Sequence, residues 1–219
     1  MKIAYFDCSS GISGDMCLGA LVDAGLPLRE LEKELKKLRI KGYKLGVKSV
    51  KRSGFRATKV DVLLPSAISH QPSTKTWTDI EKIIKASSLS DSIKQKGRKI
   101  FRRLFEAEAK VHGERFGRVH LHELGAIDCI IDIFGSVIGL DLLGIEKIYS
   151  SPLNLGSGSV ISAHGVLPVP APATIEILRC KMQDAGCRIY SDGTDLELTT
   201  PTGVAIIREL SSGFGDIPQ

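Results

Sequence analysis

The chain has 219 residues, 42% of them hydrophobic and 25% charged, so it is long enough to bury a sizeable core. No segment approaches the roughly 18 consecutive apolar residues of a membrane-spanning helix, and the start MKIAYFD has no secretory-signal pattern, so we expect a soluble, cytoplasmic protein without membrane attachment. The net charge of +5 is modest and the five cysteines form no CxxC pair, which disfavours a dedicated nucleic-acid binder, a zinc knuckle and a disulfide scaffold.

The first half of the chain mixes strand and helix patterns. A short buried strand and a glycine-rich turn precede an apolar helix, and an amphipathic helix, a β-hairpin, an irregular loop and two more helices follow. Their predicted ranges are 2–6, 16–26, 28–38, 44–64, 65–76, 77–86 and 89–112. The loop 65–76 is expected to be mobile because it is polar and lacks periodicity.

The second half is organised around one unusually apolar segment, residues 123–143, which predicts a central helix buried against several neighbours. After it we expect a strand, a glycine-rich loop, a proline-led helix, a short strand and a final helix, over 149–155, 156–165, 168–180, 188–190 and 204–210. The order of these elements predicts one α/β domain over 1–219, in which a mixed sheet and flanking helices enclose the central helix. A mixed α+β class is the alternative.

The basic segment 94–103, KQKGRKIFRR, has two interpretations. It could contact phosphates, or it could form the solvated face of an amphipathic helix. The second is favoured because the chain as a whole has only a small excess of positive charge.

The tetrapeptide His120-Leu121-His122-Glu123 is the first candidate for chemistry. In an extended segment, alternate residues point to the same side, so both imidazoles and the following carboxylate can converge on a metal. Imidazole suits nickel, zinc, copper and iron. Hydrogen-bonded histidines near a helix end are the alternative.

Asp128 and Asp132 lie four residues apart on the predicted central helix, surrounded by apolar positions. Two like charges at this spacing destabilise a helix unless a cation or a donor compensates them. We therefore expect a divalent cation here, with a narrow solvent-facing stripe as the alternative. Gly135 and Gly139 continue the same stripe and would permit a close approach to the backbone.

The turn DCSSGISGDM, residues 7–16, follows the first strand and opens a helix. Backbone amides at a helix N-terminus can cradle an anion, but no Lys-Ser/Thr pair follows, so this is not a Walker P-loop. Asp7 and Asp15 could hold a metal, although Asp15 could instead favour the helix dipole. Cys8 is either a soft ligand or a packed thiol.

Two later segments also carry polar groups that suit a site. His164 lies in the glycine-rich stretch 156–165 and could be a ligand or an acid–base group. Thr199, Thr200 and Thr202 in ELTTPTG could bind an anion or cap the final helix.

Four segments, FDCSSGISGDM, VHLHELGAIDCIIDIFG, SAHGVLPVPAPAT and ELTTPTG, occur in this order over essentially the whole chain. Together they resemble the nickel-insertion protein family, LarC, which matures the nickel-pincer cofactor of lactate racemase. The resemblance implies a cyclometallase that places Ni²⁺ into pyridinium-3,5-bisthiocarboxylic acid mononucleotide and forms a carbon–nickel bond. It also implies that CTP is hydrolysed to CMP and diphosphate with Mn²⁺ or Mg²⁺.

The resemblance agrees with the candidate residues that the patterns indicate. The mononucleotide is expected at the loop, on Ser9, Ser10, Gly11, Ser13, Gly14 and Asp15, with the stretch 156–165 as the second choice. The metal ligands are expected among Asp7, His120, His122, Glu123 and Asp132. Loss of a ring proton requires a general base, for which His122, Asp128 and His164 are the candidates.

This chain departs from the family pattern in two places. The loop 65–76 contains only His70, where family members carry several histidines, which puts nickel loading by this loop in doubt. The chain also stops where the family continues into a C-terminal domain associated with CTP. We therefore expect a separate C-terminal piece as partner, and a homo-oligomer.

Overall fold

The computed structural model of the chain describes residues 1–52, 54–65, 75–121, 127–162, 165–179 and 186–218. Seven α-helices lie within these ranges. They are α1 (Gly14–Asp23), α2 (Leu28–Leu35), α3 (Trp77–Ala86), α4 (Asp91–His112), α5 (Ile127–Leu142), α6 (Pro172–Arg179) and α7 (Pro201–Leu210). The helical segments predicted from periodicity are therefore confirmed wherever the structure describes them.

Eleven strands in the same ranges form several small sheets. They are β1 (Ile3–Phe6), β2 (Lys44–Arg52), β3 (Phe55–Leu63), β4 (Lys75–Thr76), β5 (His120–Leu121), β6 (Lys147–Ser150), β7 (Leu153–Asn154), β8 (Ser159–Ser162), β9 (Gly165–Pro168), β10 (Ile189–Tyr190) and β11 (Gly213–Phe214). A parallel sheet has the order β1-β6-β11, and β7 pairs in parallel with β10. Antiparallel pairs join β2 to β3, β4 to β5 and β8 to β9. The α/β class is confirmed.

Helix α5 lies at the centre of the core, as its apolar composition predicts. Most of its side chains are buried, and it contacts α1, α2, α4 and α7. Burying a helix on nearly all sides requires apolar residues around its whole circumference, which is the pattern of this segment. Phe134 on α5 packs against Phe101 on α4, with ring centroids 6.1 Å apart.

Small residues bring α1 close to α5. A Cβ atom added to Gly135 would lie 2.7 Å from the Leu18 side chain, and one added to Gly139 would lie 2.8 Å from the Leu26 side chain. The glycine stripe on α5 therefore admits α1 and the turn that follows it. This contact places the N-terminal turn of α1 against the polar end of α5.

The structure corrects three local predictions. The stretch predicted as a glycine-rich loop over 156–165 contains strand β8 and the start of β9, because Ser159–Ser162 pairs with Gly165–Pro168. The strand predicted over 149–155 is divided into β6 and β7. The last helix begins at Pro201 rather than Val204, because proline is tolerated in the first helical turn, where its missing N–H has no partner to lose.

The basic segment 94–103 lies on α4, and acidic neighbours pair with four of its cations. Those pairs are Arg98 with Glu81, Lys99 and Arg103 with Glu209, and Arg102 with Glu106. The amphipathic-helix interpretation is therefore confirmed. Within the described ranges, no helix has the length and apolar character needed to cross a membrane.

Candidate metal and substrate site

The site begins at the carboxyl end of β1, where the chain turns before entering α1. Asp7 is exposed and accepts a hydrogen bond from the Ser9 amide at 3.0 Å. The Gly11 amide donates to the Cys8 carbonyl at 2.9 Å and closes the turn. A Cβ atom on Gly11 would lie 2.0 Å from the Leu198 carbonyl oxygen, and its φ of +80° favours glycine. The turn is thus fixed by local bonds and by a close backbone contact.

The ELTTPTG segment holds this turn from the other side. The Ile12 amide donates to the Leu198 carbonyl at 2.9 Å, and the Thr200 amide donates to the Ile12 carbonyl at 3.0 Å. The Thr200 hydroxyl accepts from the Gly203 amide at 3.2 Å and so caps α7. The capping interpretation of this threonine is confirmed, and the N-termini of α1 and α7 meet at Ile12.

At the start of α1, Ser13 is the N-cap and also donates a hydrogen bond to the Asp15 carboxylate. Asp15 lies in the first turn of the helix, where a negative charge is favoured by the helix dipole. Its carboxylate is half-buried and directed by Ser13, so the local sequence S-x-D orients it.

Asp132 reaches the same place from α5. A Cβ atom on Gly14 would lie 2.6 Å from Asp132 Oδ2, so the carboxyl packs directly on the backbone of α1. Burial, the Asp15 charge and the Asp128 charge, in that order, raise the pKa of Asp132 from 3.8 to about 8. Asp15, which is distant in sequence, and Asp128, one helical turn away, are therefore close enough to Asp132 to affect its protonation.

One oxygen of the Asp132 carboxyl lacks a hydrogen-bond partner within the described ranges. Its Oδ1 atom is buried and has no hydrogen-bond partner among the described residues. A buried carboxylate without donors is costly, so in isolation the group holds a proton near neutral pH. A divalent cation at Asp132 would satisfy that oxygen and offset the negative charge that Asp15 and Asp128 add nearby. We define these three residues as the acidic cluster.

Three buried thiols lie close to the cluster and the turn. Cys17 and Cys129 flank the acidic cluster, and burial raises the pKa of both thiols well above the ordinary value. Burial also raises the pKa of Cys8, which lies 3.5 Å from the Ser150 hydroxyl. All three therefore fit packed, protonated thiols, which is the alternative favoured for buried cysteines.

The predicted histidines are only partly covered by the structure. His120 lies on β5, is exposed, and lines a groove with Arg115 and Arg118. His122, Glu123 and His164 lie outside the described residues, as does His70 in the loop 65–76. In the described part of the chain, no three His, Cys, Asp or Glu side chains are already arranged to hold a metal.

The structure also identifies a polar residue that sequence patterns missed. Asn154 is fully buried on β7, donates to the Ser9 carbonyl at 2.9 Å, and accepts from the Gly156 amide at 3.2 Å. The Thr199 hydroxyl donates to its carbonyl at 2.7 Å. Asn154 therefore ties the turn before α1 to the segment before α7. Its signal was an asparagine inside an apolar strand pattern.

A cavity of about 350 Å³ lies on the far side of the α7 start. Val160 and Leu167 form apolar walls, while Glu108, Glu197 and Thr200 contribute polar atoms. The volume is near the lower end of the range of roughly 300–1,000 Å³ that small-molecule sites occupy. Because Thr200 also bonds to the α1 turn, this cavity and the acidic cluster share one supporting segment.

The sequence matches the family described as nickel insertion protein over residues 4–219. The pyridinium-3,5-bisthiocarboxylic acid mononucleotide nickel insertion protein of Geobacillus kaustophilus is 46% identical over 225 residues, which cover 100% of this chain and 53% of the relative. The protein with that name from Desulfitobacterium hafniense is 46% identical over 219 residues, with 100% and 52% covered. The chain thus spans about half the length of the curated relatives it matches. No solved structure matches it.

Proposed function

Because the chain belongs to the nickel insertion protein family, we propose that it takes part in placing Ni²⁺ into pyridinium-3,5-bisthiocarboxylic acid mononucleotide. The observation that carries the proposal is the buried Asp132 oxygen without a partner, set against Gly14 beside two further carboxyl groups. Such a group favours a cation. In this proposal Ni²⁺ is a substrate, received at the acidic cluster.

The chemistry of the ligands suits a metal that is passed on. Carboxylate oxygens are hard donors that hold Ni²⁺ less firmly than imidazole or sulfur does. The two thiocarboxylate groups of the proposed substrate provide sulfur donors, to which Ni²⁺ would move. A donor site based on Asp132, to which Asp15 and Asp128 add negative charge, would therefore release its metal to the substrate.

The remaining predicted ligands complete the proposal. Asp7, His120, His122 and Glu123 stay predicted metal ligands, and an imidazole among them would help to select nickel over harder cations. His122, Asp128 and His164 stay the candidate bases for the ring proton whose loss accompanies carbon–nickel bond formation. The strands that flank His164 include Ser162, which lines the cavity.

The cavity and the α1 turn are the proposed substrate contacts. The flat, positively charged pyridinium ring fits a cavity with apolar walls and the carboxyl groups of Glu108 and Glu197. The turn residues 9–15 stay predicted contacts for the mononucleotide. Since four of the turn amides, at Ser9, Gly11, Ile12 and Met16, already donate hydrogen bonds within the protein, an anion there would depend on the metal for its attraction.

In this proposal, the hydrolysis reaction that drives nickel insertion takes place in the longer protein. CTP hydrolysis to CMP and diphosphate, with Mn²⁺ or Mg²⁺, is assigned to the C-terminal part of the family protein, as a covalent extension or as a separate piece. The carboxylates of the acidic cluster would also accept Mn²⁺ or Mg²⁺. We propose in addition that the assembly is a homo-oligomer.

A second candidate function is a non-catalytic module that holds nickel or substrate for the C-terminal piece. The carboxylate composition of the cluster favours it, because weak donors suit delivery as well as catalysis. The two functions differ in whether this chain alone can change the substrate.

The deciding experiment follows product formation by mass spectrometry. The chain, the C-terminal part of a relative, and their mixture are each incubated with the mononucleotide, Ni²⁺ and CTP. Product from the mixture that requires CTP and fails with Asp132→Ala supports nickel insertion. Full activity of the Asp132→Ala mixture would refute the proposed role of the acidic cluster, and product from this chain alone would refute the delivery module.

A further inference from the structure

An open groove of about 810 Å³ lies where α4 ends and the short β4–β5 pair begins. Among the described residues it is lined by Arg115, Arg118 and His120 together with Thr76 and Glu114, the one carboxyl side chain in that set. Both arginines and His120 are exposed. The groove thus has an excess of positive charge even when the imidazole is neutral.

The backbone that carries the two arginines is held firmly. Phe116, between them, packs against Trp77 with ring centroids 5.2 Å apart and against Phe105 at 6.0 Å. The Arg118 amide donates to the Arg115 carbonyl at 2.8 Å. Aromatic burial of this kind fixes a short turn, so both guanidinium groups start from defined positions on the groove wall.

These arginines differ from the basic residues of α4. Arg98, Arg102 and Arg103 are neutralised by glutamates. Within the described ranges, neither Arg115 nor Arg118 has a salt bridge or a side-chain hydrogen bond. Two unpaired guanidinium groups on one groove form a ready set of donors for a bidentate anion.

The groove is also open at its backbone. Cβ atoms added to Gly113 and Gly117 would meet no atom within 4 Å. A ligand can therefore approach the main chain between the arginines. The geometry combines two guanidinium groups with accessible backbone, which is suited to a compact, multiply charged anion.

We infer that this groove binds a phosphate monoester, the anionic end of a mononucleotide. The inference rests on the proposed function, in which a mononucleotide is the substrate. The groove supplies positive charge for the phosphate, which the acidic surroundings of the α1 turn lack. A long nucleic acid is less favoured, because four cations of α4, Arg98, Lys99, Arg102 and Arg103, are already paired with glutamates.

The test measures binding of nicotinamide mononucleotide, an N-ribosylpyridinium phosphate, by isothermal titration calorimetry. Nicotinamide riboside, which lacks the phosphate, is the matched ligand, and inorganic phosphate is the competitor. The double variant Arg115→Ala/Arg118→Ala is expected to bind the mononucleotide at least about tenfold more weakly, because each lost charge-assisted hydrogen bond is worth about a factor of ten. The riboside should bind both proteins equally weakly.

The control variant Lys99→Ala/Arg102→Ala removes the same charge from the ion-paired face of α4 and should bind like the wild type. Thermal melting of each variant checks folding. Unchanged affinity in the Arg115/Arg118 variant, no binding by the wild type, or an equal loss in the control would overturn the inference. So would tighter binding of an RNA oligonucleotide that inorganic phosphate does not displace.

Nickel titration separates this inference from the proposed function. The Arg115→Ala/Arg118→Ala variant should keep wild-type Ni²⁺ affinity, because the acidic cluster is unchanged. If mononucleotide binding depends on the arginines but no nickel is inserted by the assembled protein, the groove stands and the proposed function fails. If nickel is inserted but neither insertion nor mononucleotide binding depends on the arginines, the proposed function stands and the groove inference fails.

Discussion

Replacing Asp132 with asparagine is expected to change how the stability of the protein depends on pH. The pKa of this carboxyl is about 8 in the folded chain, against 3.8 for an unperturbed aspartate. Between these values the folded state holds a proton that the unfolded state has already released. The free energy of unfolding of the wild type therefore falls as the pH rises through this window. The asparagine variant has no such proton and should lose this component.

The size of the effect follows from the same linkage. One protonation difference changes stability by at most about 1.4 kcal/mol per pH unit, or about 2.7 kcal/mol between pH 5 and pH 7. Because the Asp132 carboxyl is not completely buried, solvent screening reduces the expected change to about 1–2 kcal/mol. Over this interval the variant should gain that much stability relative to the wild type.

Urea denaturation without metal, at pH 5, 6 and 7, measures the quantity directly. Any constant cost of placing an amide in the site cancels, since only the change with pH is compared. Asp141→Asn is the control, because it removes the same charge from an exposed position near the end of α5. A difference between Asp132→Asn and wild type that is constant from pH 5 to 7 would refute the assignment of a proton to Asp132.

Three further predictions concern the same site. At pH 7, Ni²⁺ binding should release up to about one proton in the wild type and less in Asp132→Asn, because the metal replaces the proton on the carboxyl. Calorimetry in buffers of different ionisation enthalpy measures the number of protons released. Equal proton release by the two proteins would contradict the prediction. Gly14→Ala should cost about 1–3 kcal/mol of stability and weaken nickel binding, because its Cβ would lie 2.6 Å from Asp132 Oδ2. Gly117→Ala, whose added Cβ meets no atom within 4 Å, is the control for a methyl group without a clash. Equal nickel affinity in both variants would count against the prediction. Asn154→Ala should destabilise the protein by about 2–3 kcal/mol in urea denaturation, since the Ser9 carbonyl and the Gly156 amide lose their bonds; a change below about 0.5 kcal/mol would show that the turn does not depend on it.

Local sequence determined much of the fold. Thr76 and Ser90 cap α3 and α4, in keeping with the preference of Thr and Ser for the N-cap position. The apolar circumference of α5 predicted its central burial, and alternation predicted the β2–β3 hairpin. These features depend on backbone preference and on periodic burial, both of which are written in neighbouring residues. The glycine-rich stretch around β8 was misread because glycine content outweighed its short alternating run.

Tertiary structure alone decided how the carboxyl groups behave. Asp128 and Asp132 lie one turn apart on the same predicted helix. For both residues the sequence was compatible with a functional site and with a solvent-facing stripe. Asp132 is covered because Gly14 lets the α1 turn pack onto it, whereas Asp128 stays exposed. The raised pKa arises from that packing and from Asp15, which is more than a hundred positions earlier in the chain.

The sequence by itself therefore determined the helices, the α/β class and the residue types available for chemistry, because these follow from interactions over a few residues. Only the folded chain decided that Asp15 and Asp132 belong to one cluster, that Asn154 ties two turns together, and that His120 lines the same groove as Arg115 and Arg118. Burial and electrostatic neighbourhood are sums over elements distant in sequence, and no local pattern contains them.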